Sequence, residues 1–292
     1  MFDISLTQPH RPARRTSVTS ADGTTISTQE FGNLNGRPIL FLHFYGGTHL
    51  MWMPQLASPL ADQFRLVTLD HRGHGESGKP AEPQAYSDGE RFADDIHAVI
   101  TQLGLVRPVL AGWSMSGVLV GDYLAKYGEG NVDGVVLNAA NNNMGNERAF
   151  RDQLGPAVSQ AEGIFSEDLH EQLVAWNTLN RHLTSARTEM PESVKVAVMT
   201  ASFQMASAAK QNILMRRAGV MDHLPTFGGL RAPLLLIHGN DDQIVLPKAA
   251  EQILDVNPRA TLRRFDNVGH APNWEQATAF NEALSEFAAP LR

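Results

Sequence analysis

The 292-residue chain carries 24 Lys plus Arg against 31 Asp plus Glu, a formal charge of −7, with 42% hydrophobic and 19% charged residues. That is ordinary globular composition with enough apolar material for a sizeable core, as two small domains or one large α/β domain with an insertion. The acidic balance argues against nucleic acid or an anionic membrane surface as partner, and the lack of cysteine excludes disulfides, a thiolate nucleophile and zinc–thiolate sites.

No apolar h-region accompanies Arg11, Arg14 and Arg15, so no signal peptide is read. Nor does any apolar run approach the ~20 residues of a membrane span. A reducing, cytoplasmic setting is the expectation. Short apolar runs then alternate with amphipathic stretches, the pattern of a mostly parallel sheet covered by helices. Ser17-Val18 and Thr24 to Phe31 predict an opening antiparallel pair. Pro38 to His43 and Phe64 to Asp70 read as buried strands. Phe92 to Leu105 reads as a helix, its Phe92, Ala93, Ile96, Val99, Ile100 and Leu103 forming one face. Val109 to Trp113 is the next strand, and a helix follows Ser114 as far as Gly128. Val132 to Leu137, Pro233 to His238 and Ala260 to Phe265 complete the strands, before a closing helix from Asn273 to Phe287.

Between Asn141 and about Thr226 the alternation disappears. Leu169, Leu173, Trp176 and Leu183 fall on one helical face, and Val194, Val198, Ala201 and Met205 on another, with Pro191 at the first turn of the second helix. The segment reads as a helical lid (141–226) inserted into a core domain made of 1–140 and 227–292. It holds six of the ten Met: Met144, Met190, Met199, Met205, Met215 and Met221. Met adapts to irregular shapes, which suits either a pliable apolar pocket or lid-core filling. Trp113, Trp176 and Met205 are the residues expected to line a substrate pocket, with core filling as the alternative.

Gly112-Trp113-Ser114-Met115-Ser116-Gly117 stands where a strand-to-helix turn would hold a serine oxygen out for attack on a carbonyl. It departs from G-x-S-x-G at Ser116, with Gly117 one place later. Such a serine is often only a helix cap, but two partners follow downstream. A serine hydroxyl needs a base to take its proton, and the base needs a carboxylate to orient it. Strand Pro233 to His238 runs into Asp241-Asp242, and strand Ala260 to Phe265 runs into the loop holding His270. Loops at the carboxyl ends of parallel strands gather on one edge, where open α/β sheets build their sites. Asn138, ending an earlier strand, cannot serve as the acid. His71 and His74 read as turn structure rather than a metal pair, and His43 and His238 as buried structural histidines; no metal and no cofactor are expected.

These residues resemble the α/β-hydrolase fold superfamily over nearly the whole chain from Thr24 onward. The order Ser114, Asp242, His270 is that superfamily's order. Asp70-His71-Arg72-Gly73-His74-Gly75-Glu76-Ser77 is similar to its turn after the fourth strand, and His43-Phe44-Tyr45-Gly46-Gly47 to its oxyanion loop, with Phe44 in place of the family's Gly. The Gly-x-x-Asp pattern selects Asp242 over Asp241. Gly112 to Met115, Asp122-Tyr123-Leu124 and the short lid are most similar to the cofactor-free haloperoxidase and arylesterase branch. The resemblance implies an eight-stranded, mostly parallel sheet, the catalytic set Ser114, Asp242 and His270, and oxyanion donors in the backbone N–H groups of Met115 and Tyr45, with Phe44 as the alternative to Tyr45. It implies a serine hydrolase of a small or medium carboxylic ester or lactone. Relatives with an aspartate nucleophile do not fit Ser114, and the Ser-Gly-x-Gly loop of the C–C hydrolases is absent. An acyltransferase or perhydrolase using the same residues, and a slow-turnover receptor or signalling protein, are the other readings. The partner expected is a small-molecule ester, with a homo-oligomer left open.

Overall fold

The computed structural model describes residues 13–143, 152–214 and 222–291. Eight strands form one sheet in the order β1-β2-β4-β3-β5-β6-β7-β8. They are β1 Arg14–Thr19, β2 Thr25–Gly32, β3 Arg37–Leu42, β4 Phe64–Leu69, β5 Val109–Trp113, β6 Gly134–Asn138, β7 Leu234–Gly239 and β8 Thr261–Phe265. β2 runs antiparallel to both β1 and β4, and all other pairs are parallel. The expected mostly parallel, eight-stranded sheet flanked by helices is therefore the fold.

Central parallel strands are covered on both faces and need continuous apolar sequence. Every residue of β5, β6 and β7 is buried. Alternate side chains feed two cores. Leu40, Leu110, Val135 and Leu236 pack on the side of helices Gly89–Gln102 and Ser116–Tyr127. Ile39, Phe41, Ala111, Val136 and Ile237 pack on the other side, with Trp52, Phe280 and Leu284. The edge strand β8 is only partly covered. It carries Arg263 and Arg264, paired with Glu286 and Glu251, and charge on an edge discourages pairing with another chain.

Two helix boundaries differ from the periodicity. The helix expected from Phe92 begins at Gly89, because the Asp88 carboxylate accepts the Glu90 N–H at 2.9 Å and caps it ahead of the first apolar residue. The closing helix is broken at Gln276 (φ −130°, ψ 54°) into Pro272–Glu275 and Ala277–Ala288.

Between β6 and β7 the longer described helices are Leu169–Arg181, Glu192–Gln204 and Ser207–Leu214. Val194, Val198, Ala201 and Met205 are buried, as their spacing predicts, and Pro191 occupies the N-cap, one place ahead of the first turn. The other stripe packs in part: Trp176 and Leu183 are buried. Leu169 and Leu173 are 68% and 46% exposed, and beside Trp176 their helix buries Ala175. Met144, Met215 and Met221 lie outside the described residues. No helix among the described residues is long and apolar enough to cross a membrane.

Candidate active site

Ser114 sits between β5 and helix Ser116–Tyr127 with φ +57°, a left-handed conformation uncommon for a residue with a side chain. Tight approach of strand and helix explains the small residues around it. A Cβ on Gly112 would stand 2.8 Å from the Ser116 carbonyl oxygen, and one on Gly117 2.3 Å from that of Asn141. Ser116, where the pattern calls for glycine, has a use of its own. Its buried hydroxyl donates to the His43 carbonyl and accepts from His71 Nε2 at 2.9 Å, tying the elbow to the loop after β3. Spacing alone carried no signal for that bond.

Asp242 and His270 meet as expected. The imidazole Nδ1 donates to Asp242 Oδ2 at 2.8 Å, leaving Nε2 free to take a proton. Asp242 is 1% exposed, and its Oδ1 accepts the N–H groups of Ile244 (2.8 Å) and Val245 (3.0 Å). His238, read as structural, lies 3.2 Å from Oδ2 while its Nε2–H donates to the Val245 carbonyl at 2.8 Å. Burial works to raise the pKa of Asp242, but His270 and His238 beside it outweigh that and hold it at about 2. The His270 loop is fixed from two sides. Trp113 Nε1–H donates to the His270 carbonyl at 2.8 Å, and Glu275, which sequence reasoning missed, accepts the Gly269 N–H at 2.6 Å and the Ser185 N–H at 2.9 Å. Ser114 and His270 open onto one cavity without a hydrogen bond between them. A bond of that kind commonly closes only with substrate in place.

The loop after β3 rests on three buried imidazoles. His71 N–H donates to His43 Nε2 at 3.0 Å, so His43 carries its proton on Nδ1 and donates to the Phe44 carbonyl at 2.7 Å. Gly46 N–H donates to His74 Nε2 at 3.2 Å, and His74 Nδ1–H donates to the Arg72 carbonyl at 3.1 Å. Phe44 needs no left-handed backbone, and its ring packs edge-on to Trp113 at 4.6 Å, which explains why glycine is dispensable there. Among the described backbone hydrogen bonds none uses the amides of Phe44, Tyr45 or Met115. These are the groups that the family resemblance implies as oxyanion donors, Phe44 being the alternative to Tyr45.

Burial lowers His71 to about 3 and His74 to about 4, and pushes His43 well below its ordinary value. Unfolded, each would titrate near 6.5. Below that pH the unfolded chain binds more protons, so this stability is fully present above about pH 6.5 and lost as pH falls toward 4. Each group contributes a slope of up to about 1.4 kcal/mol per pH unit. We expect Tm to fall between pH 6.5 and 4.5, before carboxylates contribute, and His74→Phe to make the fall shallower. An unchanged Tm over that range would contradict it.

The cavity holding Ser114 and His270 has a volume of about 410 Å³. Phe44, Met115, Ile164, Leu179 and Val245 give it a mainly apolar wall, and exposed Ser159, Glu162 and Phe165 stand at its rim. A more open groove of about 670 Å³, between Pro54–Gln63 and Trp274–Ser285, contains none of the assigned groups. The three expected pocket residues do not line the 410 Å³ cavity. Trp113 lies beside it and spends its N–H on the His270 loop. Trp176 is buried behind Tyr45, the two rings stacked at 5.8 Å, and a Cβ on Gly46 would stand 2.8 Å from it. Met205 is in the core. None of the described methionines between β6 and β7 lines the cavity either.

A strained serine at a strand–helix turn, with a paired aspartate and histidine on the next loops of this sheet, defines an α/β-hydrolase. Residues 37–277 match the profile of the alpha/beta hydrolase fold family, and the chain belongs to that family. Within it the chain is similar to a non-heme haloperoxidase of Rhodococcus erythropolis, 28% identical over 92% of this chain and 98% of that protein. It also resembles a bifunctional esterase/perhydrolase of Acinetobacter calcoaceticus, 24% identical over 92% and 98%. The crystal structure of esterase RhEst1 from Rhodococcus sp. ECU1013 superposes with a TM-score of 0.85 and 29% identity, covering 95% of this chain and 99% of that one. The chain thus lies near the haloperoxidase and esterase branch, as the sequence motifs imply, and is a hydrolase.

Proposed function

We propose that the protein hydrolyses small or medium carboxylic esters through an acyl-enzyme on Ser114. The observation that supports this best is the buried Asp242–His270 pair opening, with left-handed Ser114, onto an apolar cavity of about 410 Å³. In this reading Ser114 Oγ attacks the ester carbonyl while His270 Nε2 takes its proton. The carbonyl oxygen gains the negative charge and is met by the amides of Met115 and Tyr45. Collapse breaks the carbon–oxygen bond, His270 returns the proton to the leaving alcohol, and water repeats the sequence to release the acid. The insertion between β6 and β7 acts as a lid, since Ile164, Leu179 and Leu183 supply part of the wall. Turnover of short p-nitrophenyl esters tests the reading, and no turnover would favour a receptor built on this fold.

Acyl transfer to peroxide shares the acyl-enzyme, and the esterase/perhydrolase relative favours it as the second reading. Competition between water and peroxide for the same acyl-enzyme, measured as peracid formed per acid, separates the two. Chain length gives a further expectation. Each added methylene buried at ~0.8 kcal/mol raises kcat/KM about fourfold until the cavity is full, so an acyl series rises and then falls. Ile164→Ala should move that optimum to longer chains, whereas Met205→Ala, off the cavity, should leave it in place. The opposite pattern would remove the lid wall from substrate selection.

A further inference from the structure

His270 is held at its ring and on both sides of its Cα. The ring Nδ1–H donates to Asp242 at 2.8 Å, and the His270 carbonyl accepts Trp113 Nε1–H at 2.8 Å. The N–H of Gly269, one residue earlier, donates to Glu275 Oε1 at 2.6 Å. Asp242 follows β7 and Trp113 ends β5, whereas Glu275 ends the short helix Pro272–Glu275 just past the histidine. Its other oxygen, Oε2, accepts the Ser185 N–H at 2.9 Å, so one carboxylate joins the histidine loop to the insertion between β6 and β7. The two segments touch there, since a Cβ on Gly269 would stand 2.6 Å from the Ser185 nitrogen. Ser185 closely follows Leu183, which lines the cavity together with His270. Glu275 is itself firmly placed. Its N–H donates to the Ala271 carbonyl at 2.8 Å, and the neighbouring Trp274 indole donates to the Met51 carbonyl at 2.6 Å.

A bond at Nδ1 sets the tautomer but leaves the ring able to pivot about that contact. Where Nε2 points is decided by the backbone that carries the ring, and a displacement of about 1 Å can cost about 100-fold in rate. That direction matters most in the second half of ester cleavage. The Ser114 Oγ–carbon bond has then formed, the carbon–oxygen bond to the alcohol breaks, and the proton on Nε2 passes to the departing oxygen. A nitrophenolate is a stable anion and departs without that proton, whereas an alkoxide does not. We infer that Glu275 is a positioning residue that aims His270 Nε2 at the departing oxygen, and so brings esters of plain aliphatic alcohols within the protein's range. Its hold on Ser185 fixes the same proton carrier relative to the Leu183 wall, against which a substrate would lie. The inference rests on the ester-hydrolase reading of Ser114, and its test is chosen to fail separately from that reading.

The measurement is kcat/KM for ethyl hexanoate and p-nitrophenyl hexanoate, which share an acyl group and differ only in the alcohol. Glu275→Gln keeps the shape of the side chain, but its NH₂ group meets one of the two N–H donors and the hold opens on that side. The variant should lose about 100-fold on the ethyl ester and only a fewfold on the p-nitrophenyl ester, at temperatures where circular dichroism and Tm show it folded. Should that variant fail to fold, Glu275→Asp serves in its place. It keeps a carboxylate too short to span both N–H groups and should shift the ratio in the same direction. A purely structural carboxylate would lower Tm and both rates alike, so equal loss on the two esters, or full activity on both, overturns the inference. Turnover of the p-nitrophenyl but not the ethyl ester by the unaltered protein overturns it without recourse to a variant. Failure of the underlying reading looks different: neither ester would be turned over, or turnover would survive Ser114→Ala.

Discussion

Ester turnover by Ser114→Ala is expected to fall about 10⁴–10⁶-fold, the loss seen when a serine enzyme forfeits its nucleophile. The argument is local. Ser114 holds a left-handed φ of +57° whichever of the two residues is present, so alanine adds no new backbone strain. Among the described residues the Ser114 hydroxyl makes no hydrogen bond that its loss would leave broken. The neighbouring bond that ties the elbow to the loop after β3 belongs to Ser116 and survives. Circular dichroism and Tm should therefore be unchanged while p-nitrophenyl ester turnover disappears. Residual activity above ~10% would be too high for a lost nucleophile and would move the chemistry to another group. Ser116→Ala is the informative contrast. It keeps the nucleophile but unties the elbow from His43 and His71, so its losses should appear in Tm as well as in rate.

Much of this was legible because apolar runs and loop residues report directly on a parallel sheet. β5 was read without error, and the acidic and histidine loops after β7 and β8 fall where strand order puts them. What periodicity could not supply was which face of an element meets protein and which meets a cavity or solvent. Leu169 and Leu173 keep helical spacing yet face outward, while Trp176, on the same stripe, is driven inward to stack on Tyr45. Trp113, Trp176 and Met205 were sensible pocket residues by size and chemistry, but the packing used them to brace loops and fill core. Hydrogen bonds between residues far apart in sequence were invisible for a related reason. Ser116 reaches His43, Glu275 reaches Ser185, and His238 reaches Asp242 only because strand order brings them together.

The two adjacent carboxylates make the sharpest comparison. Asp242→Asn is expected to lower turnover about 10⁴-fold, as for comparable aspartates that orient a catalytic histidine. Asp242 Oδ1 is committed to the Ile244 and Val245 amides, so an amide side chain keeps its oxygen there and presents NH₂ in place of Oδ2. That NH₂ group faces His270 Nδ1, which must then accept rather than donate, and the imidazole proton moves to Nε2. The nitrogen required to receive the serine proton is thereby occupied. The NH₂ group also meets the His238 Nε2–H that formerly approached a carboxylate, so some stability is lost with the activity. Because Asp242 is held at about 2, it stays ionised through any ordinary assay range, so the unaltered protein loses no activity there through its protonation. Asp241 is only half-buried and takes no part in this set of bonds, so Asp241→Asn should stay within a fewfold of the unaltered protein. Measuring both variants against the same p-nitrophenyl ester, with Tm as the control for folding, decides between the neighbours. If Asp241→Asn were the inactive one, the carboxylate would have been assigned one residue too late, and the 2.8 Å contact with His270 would be structural.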